Sequence, residues 1–349
     1  MKSAYITTAL IGKGTGGGNV AYHESNALAR VTELEILLSR NELTPKAYGR
    51  LNNEFLYDYF ALQLLKGKEV DLAHFNGNPF GLTAKNLKDK GAKIVVTVPA
   101  HNLELSVEEF NRLGIQYPFI HMTDPFLWNL YTRHIKIADL IICPSLYSAK
   151  YLRGKLELEN EIKVIPHGTD VPSETKPLPN TFTVAHISQF GPDKGQIYLL
   201  KAWKMLNLPA KLIIAGAGTE QLSSLTNSYN VSLLGYVEDV NKIYDECSVY
   251  VQPSVTEGFG IEVLEAMAHG RAIIVSEGAG VHELIEDGKE GFVVPIRNPS
   301  AIADRIEYFF DNPDELKRMG SRAREKAKLY TWDRIEEMYE EAYLELLTS

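Results

Sequence analysis

The sequence has few cysteines, no long hydrophobic run and no excess of positive charge. Cys143 and Cys247 are the only cysteines among 349 residues, and no Cys/His cluster has the spacing of a zinc site. This argues against a disulfide framework or a structural zinc, and favours a reducing compartment. No stretch approaches the ~18 consecutive apolar residues of a membrane span. Lys and Arg number 36 against 45 Asp and Glu, a net charge of −9, so we expect no broad basic surface for nucleic acid.

These features predict a cytoplasmic protein that does not bind nucleic acid. The amino-terminal segment MKSAYITTALIG has a single lysine and a short apolar run, which is typical of a first strand rather than a signal peptide. Lys85, Lys88, Lys90 and Lys93 form a basic cluster. Its simplest interpretation is a solvated helix face, and its alternative is a peripheral contact at the inner membrane surface. The oligomeric state is not predicted.

Short apolar runs alternate with helical patterns along the chain, as expected for βα units around a parallel sheet. The proline-rich segment Val171–Asn180 predicts a linker, after which the alternation restarts. The strands predicted before the linker are Ala4–Leu10, Leu34–Leu38, Val70–Phe75, Ile94–Val98, Leu140–Cys143 and Ile162–Ile165. Those predicted after it are Phe182–Ile187, Lys211–Ala215, Val231–Leu234, Val249–Gln252 and Ala272–Val275. The sequence therefore predicts an α/β protein with two Rossmann-like parallel-sheet domains and an amphipathic helix over Thr331–Leu347.

A glycine-rich segment, GKGTGGG, lies between the first predicted strand and the first helix. Glycines there allow positive φ and close backbone approach, and a helix amino end attracts an anion. Gly12, Gly14 and Gly17 also satisfy the pattern G-x-G-x-x-G, with Glu33 near the place of a ribose-binding acid. A phosphate-bearing ligand, a dinucleotide site and a plain flexible turn all remain open.

In the segment Pro253–Gly270, seven residues separate Glu257, in a predicted turn, from Glu265 on the following helix, which also carries Glu262. Gly258 and Gly260 let the chain turn so that amides face a ligand, and the helix dipole favours a phosphate there. Two carboxylates beside a phosphate make sense if they accept hydrogen bonds from hydroxyls, such as those of a sugar and a ribose. The alternative is that Glu257 and Glu262 only stabilise the amino end of the helix while Glu265 faces solvent.

The run EGFGIEVLEAMAHGRAIIVSEGAGVHELIEDGKEGFVV resembles the E-x7-E region of the family 4 retaining glycosyltransferases, which have the GT-B fold. Further segments resemble that family in the same order along the chain. They are GGGNVAYHESNAL, ADLIICPS, VIPHGTD, DKGQIYLLKAW, IIAGAG, VSLLGYV and YTWDRIEEMYEEAYLELL. The resemblance implies an acceptor domain of residues 1–172 with 331–349, to which the C-terminal helix crosses back. It also implies a donor domain of residues 173–330, facing the first across a central cleft.

Residue by residue, the resemblance implies that Glu265 holds the ribose of a nucleotide-sugar and Glu257 a hydroxyl of the donor sugar. Lys194 would neutralise the departing diphosphate, and His101 would lie near the donor sugar, so that Glu257, His101 and Lys194 are the implied catalytic residues. Gln189 stands where the family usually has Arg, and cannot supply that charge. The other implied donor-binding residues are Gly16, Gly17, Gly258, Phe259, Gly260 and Ile261.

The resulting hypothesis is a retaining, metal-independent transfer of a sugar from a UDP- or GDP-sugar to an unidentified hydroxyl acceptor, without a cofactor, in glycan, glycolipid or polysaccharide synthesis. The loop Asn102–Gln116 is expected to shape the acceptor site. Rival hypotheses are a GT-B phosphorylase or nucleotide-sugar epimerase, and an NAD-dependent oxidoreductase using Gly12–Gly17. A last rival, suggested by Gln189, is a binding protein without turnover.

Overall fold

The computed structural model describes residues 1–9, 11, 16–39, 50–77, 81–118, 123–226 and 230–349. In chain order its strands are β1 Lys2–Thr7, β2 Glu33–Ser39, β3 Leu72–Asn76, β4 Lys93–Thr97, β5 Leu140–Cys143, β6 Ile162–Val164, β7 Thr183–Ile187, β8 Lys211–Ala215, β9 Val231–Leu233, β10 Val249–Gln252, β11 Ala272–Ser276 and β12 Gly291–Val294. Its α-helices are α1 Gly16–Val31, α2 Arg50–Leu64, α3 Leu82–Asp89, α4 Leu103–Arg112, α5 Pro125–Tyr131, α6 Arg133–Ile137, α7 Leu146–Leu156, α8 Gln196–Met205, α9 Asn241–Glu246, α10 Ile261–Ala268, α11 Pro299–Asp311, α12 Pro313–Ala327 and α13 Trp332–Thr348.

These elements form two compact units. Unit 1 comprises Met1–Ala100, Tyr117–His167 and Trp332–Ser349, and unit 2 comprises His101–Gln116 and Gly168–Thr331. Each unit contains a parallel sheet of six strands, in the order β2-β1-β3-β4-β5-β6 for unit 1 and β12-β11-β10-β7-β8-β9 for unit 2. The predicted α/β class with two Rossmann-like sheets is therefore confirmed.

The central strands are buried on both faces, as their consecutive apolar residues predict. All four residues of β5 and all five residues of β11 are buried. The edge strand β2 alternates between exposed and half-buried residues over most of its length. Between strands, the helices cover the sheet faces and complete a separate core in each unit.

Helix α13 belongs to unit 1, where it completes a buried polar cluster around Glu24 of α1. The Glu24 carboxylate accepts hydrogen bonds from Tyr5 Oη (2.5 Å), Asn76 Nδ2 (2.8 Å) and Tyr339 Oη (2.8 Å). Glu24 is fully buried, so these donors replace the water that a carboxylate would otherwise require. A second contact, between His23 Nδ1 and Glu336 Oε1 (2.5 Å), joins α1 to α13 directly.

Three segments differ from the sequence-based expectation. The expected loop Asn102–Gln116 contains helix α4, capped by the Asn102 side chain, which accepts from Leu105 N at 3.0 Å; the segment groups with unit 2. The sequence pattern over residues 119–136 predicts one helix, whereas the structure has two short helices there, α5 and α6; residues 119–122 lie outside the described ranges. Strand β12 was not predicted, because its four residues begin with glycine, which lowers strand propensity.

Across the described ranges, no helix is long and apolar enough to cross a membrane. The linker predicted at Val171–Asn180 has no helix or strand.

The Glu24 cluster gives a test of how α13 is held. In Glu24→Gln, one carboxylate oxygen becomes an amide group that must face a hydroxyl or amide donor, so we expect the free energy of unfolding to fall by about 2 kcal/mol. Glu340→Gln, a change on the same helix pair that removes only an ion pair with the half-exposed Arg30, should cost about 0.5 kcal/mol or less. Urea titration followed by tryptophan fluorescence measures both. Equal losses in the two variants would contradict the role given to Glu24.

Candidate active site

Lys194 sits in a tight turn after strand β7, at the end of a short 3₁₀ turn over Pro192–Lys194. The next residue, Gly195, has φ +74°, and a Cβ there would lie 2.0 Å from the carbonyl oxygen of Pro253. Glycine is therefore required at this position. Val255 N also donates to Asp193 O (2.8 Å), so the turn is pressed against the segment that follows β10.

Glu257 lies in that following segment, between the end of β10 and the start of α10. Its backbone is fixed on both sides, since Glu257 N donates to Gly278 O (2.9 Å) and Glu257 O accepts from Gly280 N (3.0 Å). Gly260, which precedes α10, has φ +102°, and a Cβ there would lie 3.6 Å from Glu257 Oε2. The glycine thus permits the left-handed turn into the helix and keeps space beside the carboxylate.

The two turns bring Lys194 and Glu257 together as an ion pair. Lys194 Nζ lies 2.5 Å from Glu257 Oε1, and the two side chains are 21% and 13% exposed. The other carboxylate oxygen, Oε2, accepts from Gln252 Nε2 (2.7 Å) and Ser254 Oγ (2.8 Å). Both oxygens of Glu257 are therefore held in place by three donors from two chain segments.

This pairing keeps both groups charged. Burial alone would raise the pKa of the Glu257 carboxyl, but the charge and hydrogen bond of Lys194, with the hydrogen bonds of Ser254 and Gln252, bring it below its ordinary value. Burial alone would lower the pKa of Lys194, but the negative charges of Glu257 and Asp193 raise it. Glu257 is thus a carboxylate suited to accept hydrogen bonds, not an acid suited to donate a proton.

His101 belongs to the same unit and completes this cluster electrostatically. Burial lowers the pKa of His101, and the charges of Asp193, Lys194 and Glu257 act on it as well. The residue that follows is anchored, since Asn102 N donates to Thr256 Oγ1 (2.7 Å). One turn into α4, Ser106 Oγ donates to Asp193 Oδ2 (2.8 Å). The structure thus places His101 near Lys194 and Glu257, and its position beside a donor sugar remains a prediction.

Glu265 lies on α10, eight residues beyond Glu257 in sequence, and is half-buried. It accepts a hydrogen bond from Tyr244 Oη (2.7 Å) through Oε2. Burial raises the pKa of Glu265, and the negative charge of Asp170 raises it further. The hydrogen bond from Tyr244 lowers it, but the net pKa stays above its ordinary value. Glu262, on the first turn of the same helix, has its pKa raised to about 8 by burial and by the charges of Glu257 and Glu265.

Other predicted donor-binding residues have mixed surroundings. Gln189, after β7, is exposed, and its carbonyl oxygen accepts from Gln196 Nε2 (3.0 Å). Phe259 and Ile261 are buried side chains, so only their backbone groups suit a polar ligand. The ligand contacts assigned to these residues, and to Gly258 and Gly260, remain predictions.

Gly16 and Gly17 open helix α1 of unit 1, so they belong to the other unit, and their role in donor binding also remains a prediction. Gly12 and Gly14 of the possible dinucleotide motif lie outside the described residues. The acid of that motif does not fit, since Glu33 is the first residue of β2 and its amide donates to Met1 O (2.9 Å). Dinucleotides bind beyond the carboxyl ends of parallel strands, and Glu33 lies at the amino end.

Sequence reasoning missed the residues that hold Glu257 and Glu265, namely Gln252, Ser254 and Tyr244. One signal was available, because Gln252 is a polar residue ending a strand in which all four residues are buried, at the edge where ligands bind in parallel sheets. Across the ranges described above, no group of three or more His, Cys, Asp or Glu side chains is arranged to hold a metal ion.

Two family models match the chain in succession. The model "Glycosyltransferase Family 4" matches residues 16–172, and "Glycosyl transferases group 1" matches residues 168–326. The capsular polysaccharide biosynthesis glycosyltransferase CapM of Staphylococcus aureus is 25% identical over 231 residues, which are 58% of this chain and 61% of that protein. The chain spans about half to three-fifths of the length of the curated relatives it matches first.

Solved structures match over nearly the whole chain. Sucrose-phosphate synthase from Thermosynechococcus elongatus has a TM-score of 0.83 at 18% identity and covers 100% of both chains. HepE of Anabaena, solved in complex with UDP-glucose, has a TM-score of 0.74 at 18% identity and covers 99% of this chain and 100% of that chain. These likenesses show the fold, which is GT-B. With both halves of the chain matched by glycosyltransferase families in order, the protein belongs to the family 4-type glycosyltransferases of the GT-B fold.

Proposed function

We propose that the protein transfers a sugar from a nucleotide-sugar to a hydroxyl group of an acceptor, with retention of configuration, in glycan or polysaccharide synthesis. The observation that carries this proposal is the Lys194–Glu257 ion pair, with Glu265 on the following helix α10. A cation suits a diphosphate, and two carboxylates suit sugar and ribose hydroxyls. The UDP-glucose complex of the similar HepE structure and the name of the CapM relative support the same substrate class.

In this proposal the donor binds to unit 2. Glu265 accepts hydrogen bonds from the ribose hydroxyls, and Glu257 accepts one from a hydroxyl of the donor sugar. Lys194 lies against the diphosphate, while backbone amides at the start of α10 bind sugar hydroxyls or phosphate oxygens. Because Lys194 also pairs with Glu257, a single side chain links the sugar-binding carboxylate to the leaving group. The UDP or GDP identity of the donor is not specified by these contacts.

The transfer needs one bond to break and one to form at the anomeric carbon. The bond from that carbon to the diphosphate oxygen breaks, and the acceptor oxygen bonds on the same face of the sugar. The acceptor proton passes to the departing phosphate, so no protein nucleophile is needed. Lys194 stabilises the negative charge that develops on the diphosphate. Glu257 stabilises the positive charge that develops on the sugar, and His101 lines the same cluster. We propose no metal ion and no cofactor for this step.

The role of Glu265 is testable by ligand binding. Glu265→Gln retains the hydrogen bond from Tyr244 but weakens hydrogen bonds from ribose hydroxyls, so the Kd for UDP or GDP should rise about 10- to 100-fold. Glu246→Gln, a change of the same type at an exposed position of α9, should leave the Kd unchanged. Calorimetric titration of both variants with UDP, GDP and NADH measures this. Binding of NADH without binding of any nucleoside diphosphate would overturn the proposal.

The role of Lys194 is testable by kinetics. Lys194→Met keeps a long, unbranched side chain but removes the positive charge that neutralises the diphosphate. The rate of sugar transfer should therefore fall about 10²- to 10³-fold. Lys204→Met, at an exposed position of α8, is the matched control. Release of nucleoside diphosphate from a panel of nucleotide-sugars gives the rate, and thermal unfolding checks that both variants fold. A wild-type protein that transfers no sugar, but gains activity in Gln189→Arg, would favour the binding-protein hypothesis.

We further propose that unit 1 contacts an anionic membrane surface through helix α5. None of the residues of α5 is buried, although its sequence is PFLWNLY and Phe126 is 72% exposed. Residues 123–156 carry five Lys and Arg against two Asp, whereas the chain as a whole is acidic. The lysine cluster predicted from the sequence contributes less positive charge to this surface, because Lys85 pairs with Asp89 and Lys88 with Asp139. An exposed aromatic residue beside excess positive charge suits an anionic lipid interface.

Vesicle sedimentation tests this contact. The protein should bind vesicles of equal parts phosphatidylglycerol and phosphatidylcholine, and release them at high salt. Phe126→Ser should weaken binding about tenfold, through the loss of one buried aromatic side chain. Tyr236→Ser, which removes a 69% exposed aromatic residue of unit 2, should leave it unchanged. Equal binding by the two variants, or no binding to anionic vesicles, would refute the contact.

A further inference from the structure

Helix α4 comes from the first half of the chain but is fastened to unit 2 at both ends. At its start, Asn102 N donates to Thr256 Oγ1 and Ser106 Oγ donates to Asp193 Oδ2. Thr256 and Asp193 are the residues directly before Glu257 and Lys194. The start of the helix therefore rests on the two turns that form the Lys194–Glu257 ion pair.

The end of α4 is fastened by a cluster of charged residues around Arg297. Arg297 Nε lies 2.5 Å from Glu109 Oε1, and Arg297 Nη2 donates to Glu108 Oε2 (2.9 Å). Glu109 is only 3% exposed, and its Oε2 accepts from Tyr198 Oη (2.7 Å). Because removing Arg297 would leave the buried Glu109 carboxylate without its countercharge, the ion pair between them holds the helix to the rest of unit 2.

The backbone of Arg297 is strained. It lies between β12 and α11 with φ +58°, in the left-handed region that glycine adopts most easily. Arginine is not a residue type favoured there, unlike Asn, Asp or Gly. A side chain retained at a strained backbone position indicates that the contacts of the side chain outweigh the strain. Here those contacts are the ion pairs with Glu108 and Glu109 of α4.

We infer that Arg297 is a positioning residue: by bridging Glu108 and Glu109 it holds α4 against unit 2 and so keeps His101 beside Lys194 and Glu257. His101 immediately precedes the capping residue of α4, Asn102. A movement of the helix therefore moves His101. This inference rests on the proposed function, because it assigns His101 to the sugar-transfer site. Arg297 lies forty positions beyond Glu257 in sequence, and in this inference it acts on the site without touching the substrate.

The variant Arg297→Gly distinguishes the effect of the ion pairs to α4 from the effect of the backbone conformation. Glycine adopts the left-handed conformation without strain, so the turn should fold while the bridge to α4 is lost. The matched control is Arg112→Ala. Arg112 pairs with the same glutamates, through Glu108 (2.9 Å) and Glu109 (3.4 Å), but lies on α4 itself and cannot fasten it to the rest of the unit. Both variants remove one positive charge, so a purely electrostatic effect on His101 appears in both.

Two measurements on the ligand-free full chain decide the inference. Amide hydrogen exchange over residues 103–112 should become about tenfold faster in Arg297→Gly and stay unchanged in Arg112→Ala. Burial holds the pKa of His101 below its ordinary value, and NMR titration of the variants follows that pKa. It should rise further in Arg297→Gly than in Arg112→Ala, because a looser helix exposes His101 to water. Unchanged exchange, or equal pKa values in the two variants, would overturn the inference.

A third measurement distinguishes failure of this inference from failure of the proposed function. In Arg297→Gly the rate of sugar transfer should fall about tenfold while the Kd for the nucleoside diphosphate stays constant, because His101 and not Glu265 has moved. Arg297→Lys keeps the charge but not the bidentate geometry of the guanidinium. Its rate of sugar transfer should lie between those of the wild type and Arg297→Gly. If the wild type transfers no sugar, the proposed function fails while the exchange and pKa results still stand. If transfer occurs and Arg297→Gly leaves the rate unchanged, the positioning role fails alone.

Discussion

The ion pair between Lys194 and Glu257 is the contact around which unit 2 is arranged. Two charged groups this poorly exposed are tolerated only if they face each other and their remaining polar atoms are satisfied. The end of β10 meets this demand by supplying Gln252 and Ser254 to the second carboxylate oxygen. The glycine after Lys194 meets it by letting the turn approach the Pro253 carbonyl. Local conformations in two separate segments thus follow from one electrostatic requirement.

Unit 1 buries a carboxylate by a different arrangement. Glu24 is fully buried and is held by two tyrosine hydroxyls and an amide, with no Lys or Arg ion pair among the described residues. Neutral donors fix a carboxylate without offering a charge to a phosphate. Lys194, by contrast, pairs with Glu257 while keeping 21% of its side chain exposed. This difference explains why Glu24 suits a structural role and the Lys194–Glu257 pair suits chemistry.

The sequence predicted much of the fold. Consecutive apolar residues fixed the central strands, because a strand covered on both faces has no other pattern, and the spacing of Glu257 and Glu265 identified α10. The placement of α4 was not predictable, since it depends on Asp193, Thr256 and Arg297, which lie far along the chain from Asn102. The partners of Glu257 were hidden for the same reason. Glu33 matched a motif by distance in sequence, yet it lies at the wrong end of its strand.

Helix α13 constrains the order in which the protein can mature during synthesis. Glu24 meets Tyr339, and His74 Nδ1 meets Tyr343 Oη (2.6 Å), only after the intervening residues of unit 2 have been made. Until then the nascent unit 1 contains a buried carboxylate and a histidine that each lack one of their native partners. All residues of unit 2 precede α13 in the chain, so unit 1 is the last of the two units to have all its residues synthesised, although most of it is translated first.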